Sequence, residues 1–409
     1  FAAAGRTDLM AAACLLVACA FLACTAWSEP ASAQLTDFDA DYKWHTLQTE
    51  HFHIHYHEET EQLARRLAPL AEEVHDEVVV LLRWMPGIRT HVVVADSVDV
   101  ASAYSTAVPW PRVQMFAARP DLHGSLADSD DQLKLTFKHE FTHVVARDMN
   151  YGLAWFFRSI FGRGKLLFPN ALSPAWMREG VATTVESEDT TQGRMKATYT
   201  HMVMRTEVAF DRLKGVDVAS LDPKEWPMTH VPFLYGVKFM EYLRETYGEG
   251  KMLRYLRENG DNAFPTSDHM YALPFLYNKD ARDVWGKTFP TMWGEFKASL
   301  VEEYGAEIAE LRKGGLTEFE YLSDPDDAAG SPRFSADGET VYYTSDSQSD
   351  SSRLMKADVE SGESKPVVLL REGRSLSVAP DDSVFVSDLS ILDNHSLYYD
   401  VFKLSPRLN

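Results

Sequence analysis

Apolar and polar positions recur along this chain in distinct rhythms, and each rhythm predicts an element. Between Glu59 and Leu82 the apolar residues Leu63, Leu67, Leu70, Ala71 and Val74 fall at spacings of three and four, which predicts an amphipathic helix. Phe52 to Tyr56 and His91 to Ala95 flank it as strand-like segments, and Arg112 to Ala117 alternates as a further strand. A strong helix is expected from Asp131 to about Asp148, with Ser129 and Asp130 as capping candidates. Helical patterns then dominate from Pro174 to about Leu311, including Phe239 to Tyr247, Met252 to Asn259 and Phe289 to Tyr304. The composition changes at Gly314-Gly315. Beyond it Ser, Asp and Gly separate short alternating runs such as Val341-Tyr342-Tyr343 and Ser383 to Val386, which predict strands joined by tight turns. The expected class is α+β, with a mainly helical stretch followed by an all-β segment.

Composition narrows the function classes. The chain has 409 residues, with 61 acidic against 40 basic side chains and a formal net charge of −21, so gripping nucleic-acid phosphates is disfavoured. With 45% hydrophobic and 25% charged residues, it is neither a disordered chain nor a multi-spanning membrane protein. The first 33 residues read as an export signal: Arg6 precedes an uncharged run from Leu9 to Trp27, and Ala31-Ser32-Ala33 offers a small-x-small cleavage site. Two alternatives stay open, an uncleaved anchor and a lipoprotein, since Leu16-Val17-Ala18-Cys19 resembles a lipobox. Cys14, Cys19 and Cys24 are the only cysteines, so a chain cleaved after Ala33 has none and forms no disulfide. The expected location is periplasmic or at the cell envelope, with a lipid anchor as one form of attachment.

Candidate chemistry sits on the helix beginning at Asp131, in His139-Glu140-Phe141-Thr142-His143. Two histidines four apart lie about 40° from each other around a helix, so both can meet one ion, with the intervening Glu projecting close by. The apolar stripe Leu133, Phe137, Phe141 and Val144 lies on the other side, leaving the histidines to face a cleft. A hydrolytic zinc needs a third protein ligand. After Asp148 no Asp, Glu or His occurs until Glu179, which makes Glu179 the next available candidate. Gly180 follows it inside a helical pattern, at a cost of about 1 kcal/mol relative to Ala, which points to close packing, here against the histidine helix.

His139-Glu140-x-x-His143 followed by Trp176-x-x-Glu179-Gly180-x-Ala182 and Glu186 resembles the gluzincin, or peptidase MA-like, zinc metallopeptidases. The similarity extends to Thr49 through Tyr56 and to Tyr235-Gly236 leading into Phe239-x-x-Tyr242-Leu243, so that it covers most of residues 44 to 311. The resemblance implies a peptidase domain over 34–316 that binds Zn2+ through His139, His143 and Glu179. It also implies Glu140 as the base that activates water, and Tyr235 as the partner of the oxyanion. Peptides or proteins are the implied substrates. A catalytically inactive peptidase-like scaffold is the alternative.

Three further signals stand apart from that motif. His51, His53, His55 and His57 alternate with Phe52, Ile54 and Tyr56, so a strand places four imidazoles on one face, either as a second metal site or as the solvent face of an edge strand. Residues 155–168 are apolar and locally basic, which predicts a lid or membrane-touching loop, or else a hairpin-like insertion whose aromatics pack inward. Finally, Ser331 to Ser345 with its Asp337-Gly338 turn resembles the repeat of TolB-like β-propellers, and a weaker copy runs from Ser375 through Asp381-Asp382 to Val386. Residues 317–409 hold about two blades, so the expectation is the start of a propeller that binds a cell-envelope protein; a small complete two-sheet domain is the alternative.

Overall fold

The computed structural model describes residues 41–404 apart from 100–101, 119–130, 165–166, 189–192, 222, 224–225, 262–275, 316, 318–319, 324–327, 348–349, 374 and 393–395. The expected leader over residues 1–33, and the capping candidates Ser129 and Asp130, lie outside the described residues.

A five-stranded sheet starts the fold. Strands β1 (His45–Gln48), β2 (Phe52–Tyr56), β3 (Thr90–Ala95), β4 (Ala103–Thr106) and β5 (Arg112–Phe116) take the order β1-β2-β3-β5-β4. The central strands β2, β3 and β5 run parallel and the two edges run antiparallel. Helix α1 (Glu61–Leu82) makes the crossover from β2 to β3, burying Ala64, Leu67, Ala71, Val74 and Val78 against the sheet side that carries Phe52 and Ile54. The period-two and period-three-to-four patterns of this region therefore meet as one core.

Helix α2 (Gln132–Asp148) packs on the same side, with Phe137, Phe141 and Val144 buried and both phenyl rings in edge contact with Phe52. Its N-cap is Asp131, whose side chain accepts from the Lys134 backbone N–H at 3.2 Å. Helix α3 (Gly152–Phe161) follows, then α4 (Ala175–Ser187), α5 (Thr198–Ala209), α6 (Val231–Tyr247), α7 (Lys251–Gly260), α8 (Leu276–Trp285) and α9 (Phe289–Lys313). Trp176, Phe239, Phe289, Trp293 and Phe296 form the aromatic centre of this helical half. Among the described residues no helix is long and apolar enough to cross a membrane.

Gly180 has a different partner from the one expected. A Cβ at Gly180 would lie 2.7 Å from the carbonyl carbon and oxygen of Gly236, and one at Gly236 would lie 2.3 Å from the Trp176 carbonyl oxygen. The close approach is thus between α4 and α6, glycine on glycine, and not with the histidine helix. The Tyr235-Gly236 step contributes a helix crossing.

The all-β segment forms two antiparallel sheets. One orders β6 (Ala328–Phe334), β7 (Thr340–Ser347), β8 (Asp350–Asp358) and β9 (Ser364–Leu369); the other orders β10 (Ser375–Val378), β11 (Val384–Leu392) and β12 (Ser396–Leu404). Among the described residues neither closes into a barrel or propeller. The two Asp turns are alike in detail. Asp337 Oδ1 accepts from Glu339 N–H at 3.0 Å and Asp381 Oδ1 from Ser383 N–H at 3.1 Å, while Gly338 and Asp382 both take positive φ, 77° and 59°. Asp tolerates that conformation better than most residues, so the second turn keeps its shape without glycine. The second sheet also reaches back to the segment that follows β3. Leu397 exchanges backbone hydrogen bonds of 2.9 Å with Ser97 and Asp99, and the Tyr398 hydroxyl donates to the Asp96 carbonyl at 2.8 Å.

Candidate metal centre

Helices α2 and α4 each present two functional side chains to the other. His139 and His143 are one turn apart on α2, and Glu179 and Glu186 are two turns apart on α4, so each pair shares a face. Glu179 Oε2 lies 3.3 Å from His139 Nε2 and 3.1 Å from His143 Nε2. Both imidazoles are buried, and their planes stand at 88°. The three predicted ligand residues are thus brought together, with three donor atoms converging on one point.

The donor set fits zinc. A tetrahedral Zn2+ bound at about 2.0–2.1 Å by N and O ligands holds neighbouring donors about 3.3 Å apart, close to the two separations found here. The outward nitrogen of His139 is also held: its Nδ1 is 2.7 Å from Glu186 Oε2, and Arg194 donates to both oxygens of Glu186 at 2.9 and 2.7 Å. Arg194 Nη2 also lies 2.9 Å from the same Nδ1; when Nδ1 gives its proton to Glu186, a deprotonated Nε2 keeps the lone pair that a metal-binding histidine requires.

The electrostatics of the cluster are those of a strongly coupled acid–base group. Burial and Arg194 oppose protonation of His139, but Glu186 and Glu179 outweigh them and lift its pKa to about 9. Burial alone would raise Glu179, yet the two imidazoles hold it far below the ordinary carboxylate range. Burial opposes ionisation of Glu186 as well, and Arg194 with His139 brings it down to about 2.

Glu140 lines the same cleft as His139, a cavity of about 880 Å³ that runs between α1, the β4–β5 edge and α2. Arg194 and Phe233 also line it, beside His139, with the guanidinium 4.9 Å from the ring centroid. Tyr235 is not brought into this cleft. Its hydroxyl donates to Glu207 Oε2 at 2.6 Å and accepts from the Lys214 backbone N–H at 2.9 Å, its ring stacks on Trp293, and the residue is fully buried. The expected oxyanion role is corrected accordingly: in helix α6 the residue before Gly236 points into the aromatic core, so its hydroxyl is committed there.

Glu186 lies seven residues after Glu179 in the motif, and that spacing is the signal that places it on the same face. Arg194 lies in a turn beyond α4, and no periodicity points to it.

The remaining histidine signal divides. Strand β2 spans only Phe52–Tyr56, so His53 and His55 alone share the outward face. His51 precedes the strand and pairs with Glu72 of α1 at 2.6 Å; His57 follows it and is buried under Tyr42. The four imidazoles are therefore not one row. Residues 155–161 of the apolar stretch belong to helix α3, where Trp155, Phe156, Ile160 and Phe161 are exposed, whereas Leu167 and Phe168 beyond it are buried. Its cations do turn inward. Arg158 and Arg163 both pair with buried Asp148, the last residue of α2, and their guanidiniums lie over the Phe168 ring.

No protein-family model matches this chain. It is 28% identical over 260 residues to an uncharacterized protein of Treponema pallidum (strain Nichols), an alignment that covers 62% of this chain and 21% of that protein. The chain thus spans about a fifth of the length of that relative. Among solved structures there is a weak likeness to an aminopeptidase N family protein from Idiomarina loihiensis, at 12% identity and a TM-score of 0.29, covering 88% of this chain and 66% of that one.

Proposed function

We propose that this chain is an exported zinc-dependent peptidase of gluzincin type. The observation that carries the reading is the convergence of His139 Nε2, His143 Nε2 and Glu179 Oε2, with His139 and Glu140 lining one cleft. Bound there, Zn2+ would supply Lewis-acid polarisation of the scissile carbonyl and a lowered pKa for water. Glu140 takes the proton from the attacking water and delivers it to the departing amine nitrogen. Glu186, itself held by Arg194, orients the His139 ring toward the ion.

The two C-terminal sheets read as the first blades of a propeller that docks an envelope protein, which the repeated Asp turn supports. The exposed apolar side chains of α3 support a membrane contact.

The test uses the full chain. Bound zinc and hydrolysis of a quenched peptide library are measured for the native protein and for Glu140→Gln. The expected result is equal zinc in both and turnover only in the native protein. Equal rates in both, or zinc without turnover in either, would remove the peptidase reading.

A further inference from the structure

The space beside the metal centre is wide on one side of it and narrow on the other. Along α2 the wide cleft is walled by Gln132, Thr136, His139 and Glu140, all on the N-terminal side of His143. On the C-terminal side Arg147 follows His143 by one turn on the same face, and its Nη1 donates to the Ser105 carbonyl of the edge strand β4 at 2.6 Å. Helix and edge strand are joined there. Next to His143 lies a separate hollow of about 20 Å³, lined also by Arg147, Ser173 and Arg178. It has room for about one water or one carboxylate oxygen.

Two guanidiniums border that hollow without a counter-ion. Arg147 donates to the Ser105 carbonyl and Arg178 Nη1 to the Ser173 carbonyl at 2.7 Å, and among the described residues neither is paired with a carboxylate. The acids nearby are engaged elsewhere: Asp148 holds Arg158 and Arg163, and Glu179 faces the two imidazoles. Arg178 Nε and the Ser173 hydroxyl are buried with no hydrogen-bond partner among the described residues. Burial first, and the Arg178 charge second, hold the Arg147 guanidinium below its ordinary pKa, against the pull of Glu140 and Glu179. Arginine keeps its proton in proteins. The pair is therefore a desolvated double cation with unused donors beside it, and a carboxylate from outside relieves both the repulsion and the missing hydrogen bonds.

We propose that Arg147, Arg178 and Ser173 bind the free α-carboxylate at the C-terminus of a peptide substrate, so that cleavage falls near that end. The inference rests on the peptidase reading above. A substrate that fills the wide side and meets two cations on the narrow side ends there in an anion. A peptide's N-terminus is cationic below its pKa and is repelled by both guanidiniums, whereas its C-terminus is the chain end that carries negative charge. One helical turn is about 5.4 Å and an extended residue spans about 3.4 Å, so a carboxylate beside Arg147 lies one or two residues from a carbonyl held at His143. Hydrolysis adds water across that amide, hydroxyl to the carbonyl carbon and proton to the departing nitrogen. The short fragment that leaves carries the carboxylate with it.

The experiment gives the zinc-loaded full chain one short-peptide library in two forms, free acid and C-terminal amide, and identifies the products by mass spectrometry. The native protein should remove one or two C-terminal residues from the free acids and cleave the amides about 10- to 100-fold more slowly, the loss expected for a charge-assisted hydrogen bond. Arg178→Lys and Arg147→Gln/Arg178→Gln should bring that ratio toward one. Equal cleavage of acids and amides overturns the proposal. Cleavage beside internal Asp or Glu, indifferent to the terminus, assigns the cations to an acidic side chain and equally overturns it. Binding separates this proposal from the peptidase reading: the same libraries, labelled at the N-terminus, are titrated into Glu140→Gln and followed by fluorescence polarisation. Acids should bind at least about tenfold more tightly than amides, and equal binding overturns the carboxylate site whatever the native protein hydrolyses. The same preference beside a native protein without turnover would remove the peptidase reading and leave the carboxylate site supported. The comparison of acid with amide on the native chain and on Glu140→Gln does not depend on the arginine variants folding.

Discussion

Replacing Gly180 by Ala tests the link between the helix crossing and the metal centre. Helix propensity alone predicts a gain of about 1 kcal/mol, because Ala costs less backbone entropy than Gly in a helix. The structure predicts the opposite sign. The added Cβ would sit 2.7 Å from the Gly236 carbonyl carbon and oxygen, where carbon atoms pack at about 3.5 Å or more. The obstacle is backbone, so no side chain can swing aside, and α4 and α6 must part by roughly 0.8 Å to restore ordinary contact. Overpacking of a well-filled interior costs about 1–3 kcal/mol, and the separation also loosens the Trp176 contact with Phe239 at 5.2 Å. A net loss of about 2 kcal/mol is expected in urea denaturation of the metal-free protein. Glu179 is the neighbouring residue, and its oxygen sits only 3.1–3.3 Å from two imidazoles, so the same shift should weaken zinc binding in a chelator competition. A Gly180→Ala protein as stable as the native one, or about 1 kcal/mol more stable, would refute the reasoning.

Three further outcomes are expected. Tyr235→Phe should destabilise by about 1–3 kcal/mol, because Glu207 and the Lys214 amide lose a buried partner; turnover of the folded fraction should be unchanged, and a hundredfold fall in kcat at unaltered stability would restore the oxyanion role. Glu186→Gln should keep the fold yet lower zinc affinity by about 10- to 100-fold, since the carboxylate that orients His139 becomes an amide; chelator competition reads this directly, and an unchanged affinity would show that Arg194 suffices. Trp155→Ser with Phe156→Ser should reduce co-flotation with anionic liposomes, because both side chains are about half exposed on α3; flotation equal to that of the native protein would speak against membrane contact.

Local rhythm carried a large share of the fold. The strands β2, β3 and β5, the helix α1 and the histidine helix α2 all follow from repeats of two or of three to four, because burial on one side of an element imposes its own period on the sequence. The same arithmetic puts His139 and His143 on one face, and the lack of any Asp, Glu or His between Asp148 and Glu179 makes Glu179 the next candidate to join them. Helix α6 begins at Val231, earlier than the pattern from Phe239 suggests, because Val231, Leu234 and Tyr235 are buried on more than one side and show no single stripe.

Pairings between distant segments were a different matter. Whether Gly180 meets Gly236 or the histidine helix, whether Tyr235 reaches the cleft or Glu207, which arginine holds Glu186, and which strand brings His91 beside His55 all depend on where elements cross. A residue's period records how much of it is buried, and it says nothing of which partner buries it. By itself the sequence therefore determined the elements, the metal-type donors and their local spacing. The tertiary structure decided their convergence, since a hydrogen bond or a metal ligand set is satisfied by atoms in space, and those atoms come from segments far apart along the chain.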